Sequence, residues 1–297
     1  MKSALHLLLL CAIVLICIWF YQKNTKPNEG FQQSERFLLK SEEYSYDNFY
    51  CEIYDTLTQP ENRVKYEMDI IIKTLQPEPR FARMLDVGSG TGTFLKELKK
   101  QGFQAKGIDK SAAMVKMSKK KYGDKDLDIQ QNDVLDPMVY DRASFTHIFC
   151  LDFTVYEIED KTQFFSNCYF WLQNGGYLVL HLADPQQFNP IVPAAVPPVL
   201  DSIEQLGPKR ITRTEIDFID FVYVSDYITK PNVVVHEESF TDKESQNIRQ
   251  NERTLYMETP KKIIDIARKA GFTAKGAFLL TDGPSRDAAQ QIVIFSR

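Results

Sequence analysis

An α/β fold with a mostly parallel sheet is what this 297-residue sequence predicts, and three observations carry it. Short apolar runs alternate with helical patterns from Arg83 onward (MLDV, TFLKELKK, AKGID, AAMVKMSKKKY, LDIQQND), the rhythm of βαβ units. A glycine-rich turn, Gly88-Ser89-Gly90-Thr91-Gly92, stands where the first of those strands passes into the first helix. Further on, FTHIFCL (Phe145 to Leu151) and GYLVLHL (Gly176 to Leu182) are continuous apolar runs, as parallel strands buried on both faces require.

The chain begins with an apolar stretch, Ala4 to Tyr21, interrupted only by His6. At 1.5 Å per residue it spans roughly 27 Å, against a hydrocarbon core of about 30 Å. Residues 1–22 therefore read as an uncleaved transmembrane anchor, because Trp19, Phe20, Tyr21 and Gln22 stand where a signal peptide needs small residues for cleavage. Lys2 before the segment and Lys23 and Lys26 after it leave orientation tied. The absence of any Asn-x-Ser/Thr sequon favours a cytosolic domain on a single-pass membrane protein. Residues 23–36, polar and carrying Pro27 and Gly30, read as a tether.

Residues 37–80 are predicted to be helical. They hold an aromatic cluster, Tyr44, Tyr46, Phe49, Tyr50 and Tyr54, in which Tyr50 and Tyr54 share a face. The core proper, 81–183, contains five strands alternating with helices, and the last helix places Phe164, Cys168 and Leu172 on one side before a Gly-Gly stop. Residues 184–258 break the rhythm. A Pro-rich loop leads into three predicted antiparallel strands with the aromatic run Phe218, Phe221, Tyr223 and Tyr227. His236 and Glu238 lie on one face of such a strand, where exposure is the plainer reading. In 259–297 a helix capped by Thr259, started by Pro260 and stopped by Gly271 precedes two strands, AKGAFLLT and QQIVIFS.

Charge and cysteine content exclude several classes. With 36 Lys plus Arg against 40 Asp plus Glu and a net charge of -4, the chain lacks the basic excess of a nucleic-acid binder, and no nucleic-acid partner is expected. Its dense basic run, Lys116, Lys119, Lys120 and Lys121, reads as a solvated helix face. Cys51, Cys150 and Cys168 have no CxxC spacing, so neither a disulfide framework nor a metal site is suggested.

Chemistry concentrates at the glycine turn. Gly88 and Gly90 begin a dinucleotide fingerprint, but Thr93 falls where its third glycine belongs, and no Gly-Lys-Ser/Thr of a P-loop follows. Acids recur at successive strand ends instead: Asp86, then Asp109, where a carboxylate can accept both hydroxyls of a ribose, then Asn132 and Asp133. A ligand lying across these ends would meet Asp86, Asp109 and Asp133 in turn, which suits a cofactor with a cationic amino-acid end and an adenosine end, as S-adenosylmethionine has. A pyrophosphate would be repelled by Asp86.

The series DVGSGTG, GIDKS, NDVLD and LQNGGYLVL resembles the class I S-adenosylmethionine-dependent methyltransferases with a Rossmann-like fold, over Phe81 to Leu182. That resemblance implies a seven-stranded sheet in the order 3-2-1-4-5-7-6, its last strand antiparallel, with an antiparallel insertion after strand five and an N-terminal helical lid. It implies S-adenosylmethionine as cofactor and a small-molecule methyl acceptor. It puts Asp86, Gly88, Gly90 and Gly92 at the methionine end, Asp109 at the ribose, and Asn132 and Asp133 beside the adenine. Ser89, Lys110 and Leu151, with Tyr50 and Tyr54 from the lid, complete the implied contacts. Cys150-Leu151-Asp152-Phe153-Thr154 lacks the Asn-Pro-Pro-Tyr element of enzymes acting on nucleobases or glutamine.

On the acceptor side, His181 at the end of the fifth strand is the candidate base, and a buried core histidine is the alternative. Asp184 either orients it or caps the Pro-rich loop. The predicted activity is methyl transfer to a nitrogen or oxygen of a metabolite or sugar. A lipid or quinone acceptor at the membrane, or a non-catalytic cofactor-binding scaffold, are the rivals.

Overall fold

The computed structural model describes residues 35–123, 126–196, 210–231, 233–281 and 287–297. The expected anchor, and most of the tether, lie outside the described residues. Within them no helix is long and apolar enough to cross a membrane.

A short strand, β1 (Phe37–Ser41), opens the chain and is followed by two helices, α1 (Asn48–Thr58) and α2 (Pro60–Leu75). Asp47 caps α1 by accepting from the Tyr50 amide at 3.2 Å. Gln59, at φ 41°, turns the chain into Pro60, whose missing N–H costs nothing at a first helical position. Then come β2 (Arg83–Val87), α3 (Thr93–Lys100), β3 (Gln104–Asp109), α4 (Ala112–Tyr122), β4 (Asp128–Gln131) and β5 (Phe145–Cys150). After β5 follow α5 (Thr154–Glu157), α6 (Lys161–Trp171) and β6 (Leu172–Ala183). Four strands form the insertion: β7 (Arg213–Asp217), β8 (Phe221–Lys230), β9 (Val233–Asp242) and β10 (Ile248–Leu255). The chain closes with α7 (Pro260–Lys269), β11 (Thr273–Leu280) and β12 (Asp287–Ser296).

The main sheet has seven strands in the order β11-β12-β6-β5-β2-β3-β4. Numbered from β2 and read from the β4 edge, that is the expected 3-2-1-4-5-7-6, with β12 antiparallel to both its neighbours. Every residue of β5 is buried, because helices cover both faces. One face packs Trp171, Phe164 and Phe165 of α6 with Ile263 of α7; the other packs Val64, Met68 and Ile71 of α2 with Leu95 and Leu98 of α3. Each such fully buried side chain contributes roughly 1.5–3 kcal/mol.

Four expectations are corrected. The insertion has four strands, because Ile219 and Asp220 turn the run that reads as one strand into β7 and β8. The N-terminal segment is not wholly helical: β1 adds to β10 in parallel and makes a second sheet, β1-β10-β9-β8-β7. Between β4 and β5 the chain crosses as a loop, 132–144, without a helix, and Leu172 opens β6 instead of closing α6. Phe49, Tyr50, Ile53 and Leu57 of α1 pack on Phe221, Tyr223 and Phe240 of the second sheet, a third core that fastens the lid to the insertion.

Candidate active site

The parallel strands β2 to β5 all end on one side, and there a cavity of about 470 Å³ opens. Its floor is the glycine turn. Gly88 has φ +68° and a Cβ there would run into the Thr154 side chain; Gly90 has φ +54° and open space where a Cβ would sit. The first is glycine for want of room, the second because the backbone turns left-handed beside the cavity. Asp109 holds this turn: its Oδ2 accepts from the Gly90 amide at 2.8 Å and its Oδ1 from the Ser111 amide at 2.8 Å. Each carboxylate oxygen keeps a lone pair, enough for the paired hydroxyls of a ribose. Burial raises the Asp109 carboxyl, and the two amide bonds pull it back.

Lys110, Asn132 and Asp133 line the same cavity, with Val134 and Leu135 beyond them. Lys110 bridges Glu43 of the lid at 2.6 Å and Asp133 at 3.6 Å. Ser111 caps α4, accepting from the Met114 amide at 3.1 Å, and donates its hydroxyl to the Tyr46 carbonyl at 2.7 Å, so one residue ties the cofactor loop to the lid. Asp55 of α1 adds a second tie, to Thr91 at 2.6 Å and Lys121 at 2.5 Å. Lys121 is therefore not part of a purely solvated face.

Other expected contacts lie elsewhere. Asp86 is 3% exposed beneath the turn, its Oδ2 accepting from Ser89 at 2.6 Å, and burial pushes its carboxyl up to about 7. Asp86 and Ser89 thus hold the turn from below, lining only a small cleft with Leu151. Gly92 serves packing, since a Cβ there would collide with Ser118 of α4. Tyr50 faces a different cavity from the cofactor's.

That second cavity, about 440 Å³, lies between the lid, the second sheet and the Pro-rich loop. Its apolar wall is Leu57, Pro190, Ile191, Val192 and Leu255. Its polar wall centres on Glu238, which accepts from Tyr50 at 3.0 Å, Tyr223 at 2.6 Å and Arg253 at 2.6 Å. Burial alone would push Glu238 up, but Arg253 and the other donors bring its carboxyl below the ordinary value. His236 and Glu238 are buried, 8% and 1% exposed, correcting the reading of an exposed strand face. Arg253 donates to His236 Nδ1 at 3.0 Å, so Nε2 carries the hydrogen toward Ser225 at 2.9 Å. Burial lowers this imidazole to about 3.

His181 also borders this cavity, but it is not placed as a base. It is 1% exposed, its Nε2 lies 3.1 Å from Gln290 Oε1, and its Nδ1 lies 3.5 Å from Glu67 Oε1. Both nitrogens are turned into the protein, and burial pushes the ring down to about 4. Asp184 does not orient it; its carboxylate accepts from the Gln186 amide at 2.9 Å and from Gln187 at 3.0 Å, capping the Pro-rich loop.

The two cavities share Tyr46, Tyr54, Asp152, Glu157 and Arg253. Asp152 and Phe153 have consecutive positive φ angles, 50° and 65°, a strained bend after β5. Arg63 at 2.8 Å and Tyr54 at 3.2 Å hold the Asp152 carboxylate there. Glu157 takes a short hydrogen bond from Tyr46, and no ion pair among the described residues includes it. It reaches solvent in the cavity, yet the surrounding protein raises its carboxyl above the ordinary value. Asp152, Glu157, Arg63 and Arg253 are the site residues the sequence reading passed over. The one available signal was an acid directly after the fourth strand, at the edge where ligands collect.

Residues 85–180 match the family model for a methyltransferase domain. No curated protein matches the sequence. The structure is similar to the CcbJ methyltransferase of Streptomyces caelestis, with a TM-score of 0.63 and 14% identity over 86% of this chain and 98% of that one. It is similar to an S-adenosylmethionine-dependent methyltransferase of Clostridium acetobutylicum, with a TM-score of 0.61 and 13% identity over 84% and 98%. Likeness extends to CalS10 of Micromonospora echinaspora, an amino pentose methyltransferase of calicheamicin biosynthesis solved with S-adenosylmethionine bound, with a TM-score of 0.53 and 20% identity over 80% and 91%.

Proposed function

Given that the chain is an S-adenosylmethionine-dependent methyltransferase with a Rossmann-like fold, we propose that it methylates an amino nitrogen of a small molecule, a metabolite or an amino sugar. The acceptor occupies the cavity between lid and second sheet, and Glu157 receives the proton it gives up. S-adenosylmethionine, when bound, supplies a methyl group on a sulfonium leaving group. Gly88, Gly90 and Asp109, with Lys110, Asn132 and Asp133, would hold it.

The observation that carries this reading is the shared boundary of the two cavities at Tyr46, Tyr54, Asp152, Glu157 and Arg253. Of the two carboxylates there, Asp152 is committed to Arg63, whereas Glu157 has only a tyrosine hydroxyl. The nitrogen attacks as a free amine, its lone pair forming the new N–C bond as the sulfonium S–C bond breaks, and the carboxylate takes up the proton that the methylated ammonium then gives up. A carboxylate is a poor match to an alcohol, whose proton is far more tightly bound, so nitrogen is favoured over oxygen. The amino pentose acceptor in the name of CalS10 supports the same choice.

The test is Glu157→Gln. Its kcat should fall by about 10²- to 10⁴-fold, while calorimetry shows unchanged S-adenosylmethionine affinity; an unchanged kcat removes Glu157 as proton acceptor. No binding by the full chain at millimolar cofactor would remove the premise. A second reading, a lipid or quinone acceptor, is favoured by the apolar segment Ala4 to Tyr21 as a membrane tether. It requires labelled methyl groups to enter a membrane extract in preference to soluble amines.

A further inference from the structure

Beneath the shared boundary, Glu67 of α2 is wholly buried with one oxygen, Oε2, accepting from Arg63 at 3.0 Å and the other, Oε1, without a hydrogen-bond partner. The atom facing that orphan oxygen, His181 Nδ1 at 3.5 Å, is likewise buried and without a partner. Two such atoms side by side are costly unless one proton lies between them.

Hydrogen-bond bookkeeping decides where the proton sits. Asp287 accepts from the amides of Asn189 at 2.7 Å and Ala289 at 3.0 Å, so it is an acceptor toward Gln290 Nε2 at 3.1 Å as well. That fixes the Gln290 amide with Oε1 toward His181. His181 Nε2 must then donate to it, which in a neutral ring leaves Nδ1 as a lone pair. Only a protonated Glu67 can satisfy that lone pair. An imidazolium facing an ionised Glu67 is the rival arrangement, and burial together with the positive charge of Arg63 disfavours it.

We propose that Glu67 is a positioning residue: a neutral carboxylic acid that keeps its proton and donates it as a hydrogen bond to His181 Nδ1, leaving the charge of Arg63 to Asp152 at the meeting point of the cavities. The arrangement rests on the reading of that point as the place of methyl transfer. The charged or titratable groups facing Glu67 are Arg63 on its own helix, His181 on β6, Asp152 after β5 and Asp86 on β2. Burial, with Arg63 opposing, raises the Glu67 carboxyl to about 7. Above that pH an ionised Glu67 competes with Asp152 for the one guanidinium. The sign for stability follows: a carboxyl raised on folding helps most below its unfolded value and loses that contribution as pH rises to the folded one.

The experiment is nitrogen-15 NMR of histidine in the full chain, with His181→Gln to assign the signal. A neutral ring protonated at Nε2 is expected at pH 6. Glu67→Gln, whose amide can donate to Nδ1 while its oxygen accepts from Arg63, should keep the wild-type kcat at pH 6, and the ratio of its kcat to wild type should rise across pH 7. Its melting temperature should likewise gain on wild type between pH 5 and pH 8. Glu67→Ala should lose both activity and the NMR signature. An imidazolium or an Nδ1-protonated ring at pH 6 overturns the proposal, as does a Gln variant as impaired as the Ala variant. The NMR result is independent of turnover, so failure of the methyl-transfer reading would be seen separately.

Discussion

The glycine turn that floors the cofactor cavity is held by partners close in the chain, the cavity proposed for the acceptor by partners far apart. Ser89 bonds Asp86 three residues away, and the Gly90 amide bonds Asp109 nineteen residues away. On the acceptor side Tyr50 reaches Glu238 across 188 residues, Arg253 reaches Tyr50 across 203, and Arg249 reaches Asp47 across 202. The turn needs only a strand, a loop and the next strand to form. The second cavity exists only once the lid and the inserted sheet have docked, and its polar groups are bound to one another as they leave water.

The largest test of that contrast is Glu238→Ala. It strands the Arg253 guanidinium, buried and unpaired, and should cost about 3–5 kcal/mol in denaturant unfolding, while the turn of Gly88 and Gly90 is untouched. A loss below about 1 kcal/mol, the range of exposed pairs, would mean the acceptor wall is not the buried network described. Next are the glycines. Alanine at either position meets a left-handed backbone costing about 1–2 kcal/mol, but at Gly88 it also collides with Thr154. Gly88→Ala should therefore lose more stability in thermal melts, whereas Gly90→Ala should show its effect in weaker S-adenosylmethionine binding by calorimetry. Equal melts for the two would contradict the packing at Gly88. The smallest effect is expected for Asp55→Asn, which loosens the tie from lid to glycine turn. The partners are part-exposed, 28% and 26%, so stability should change by no more than about 1 kcal/mol. The KM for cofactor should rise with kcat unchanged; a fall in kcat alone would place Asp55 in the acceptor half.

The same contrast explains what could be read without coordinates. The alternation of strands and helices and the place of the glycine turn follow from local spacing, and the strand order that the family resemblance implied is the order observed. His181 looked like a base because it ends a strand at the ligand edge, yet what turns it inward is Glu67 on α2 and Gln290 on β12. His236 and Glu238 looked exposed because alternation along β9 shows two faces without saying which one the lid covers. Glu157 gave no sign, since a glutamate at the end of a four-residue helix is ordinary until two cavities meet at it.

By itself the sequence determined the βαβ core and a glycine-rich turn at a strand end, because hydrophobic period, turn chemistry and strand-end acids act over a few residues; the sheet order came with the family resemblance. Only tertiary structure decided which carboxylate is left without an ion pair where the two cavities meet, which histidines are spent on holding neighbours, and where the N-terminal helices lie. Those outcomes depend on desolvation and pairing between segments some two hundred residues apart, as between Ser45 and Arg253, 208 apart, and no local pattern records them.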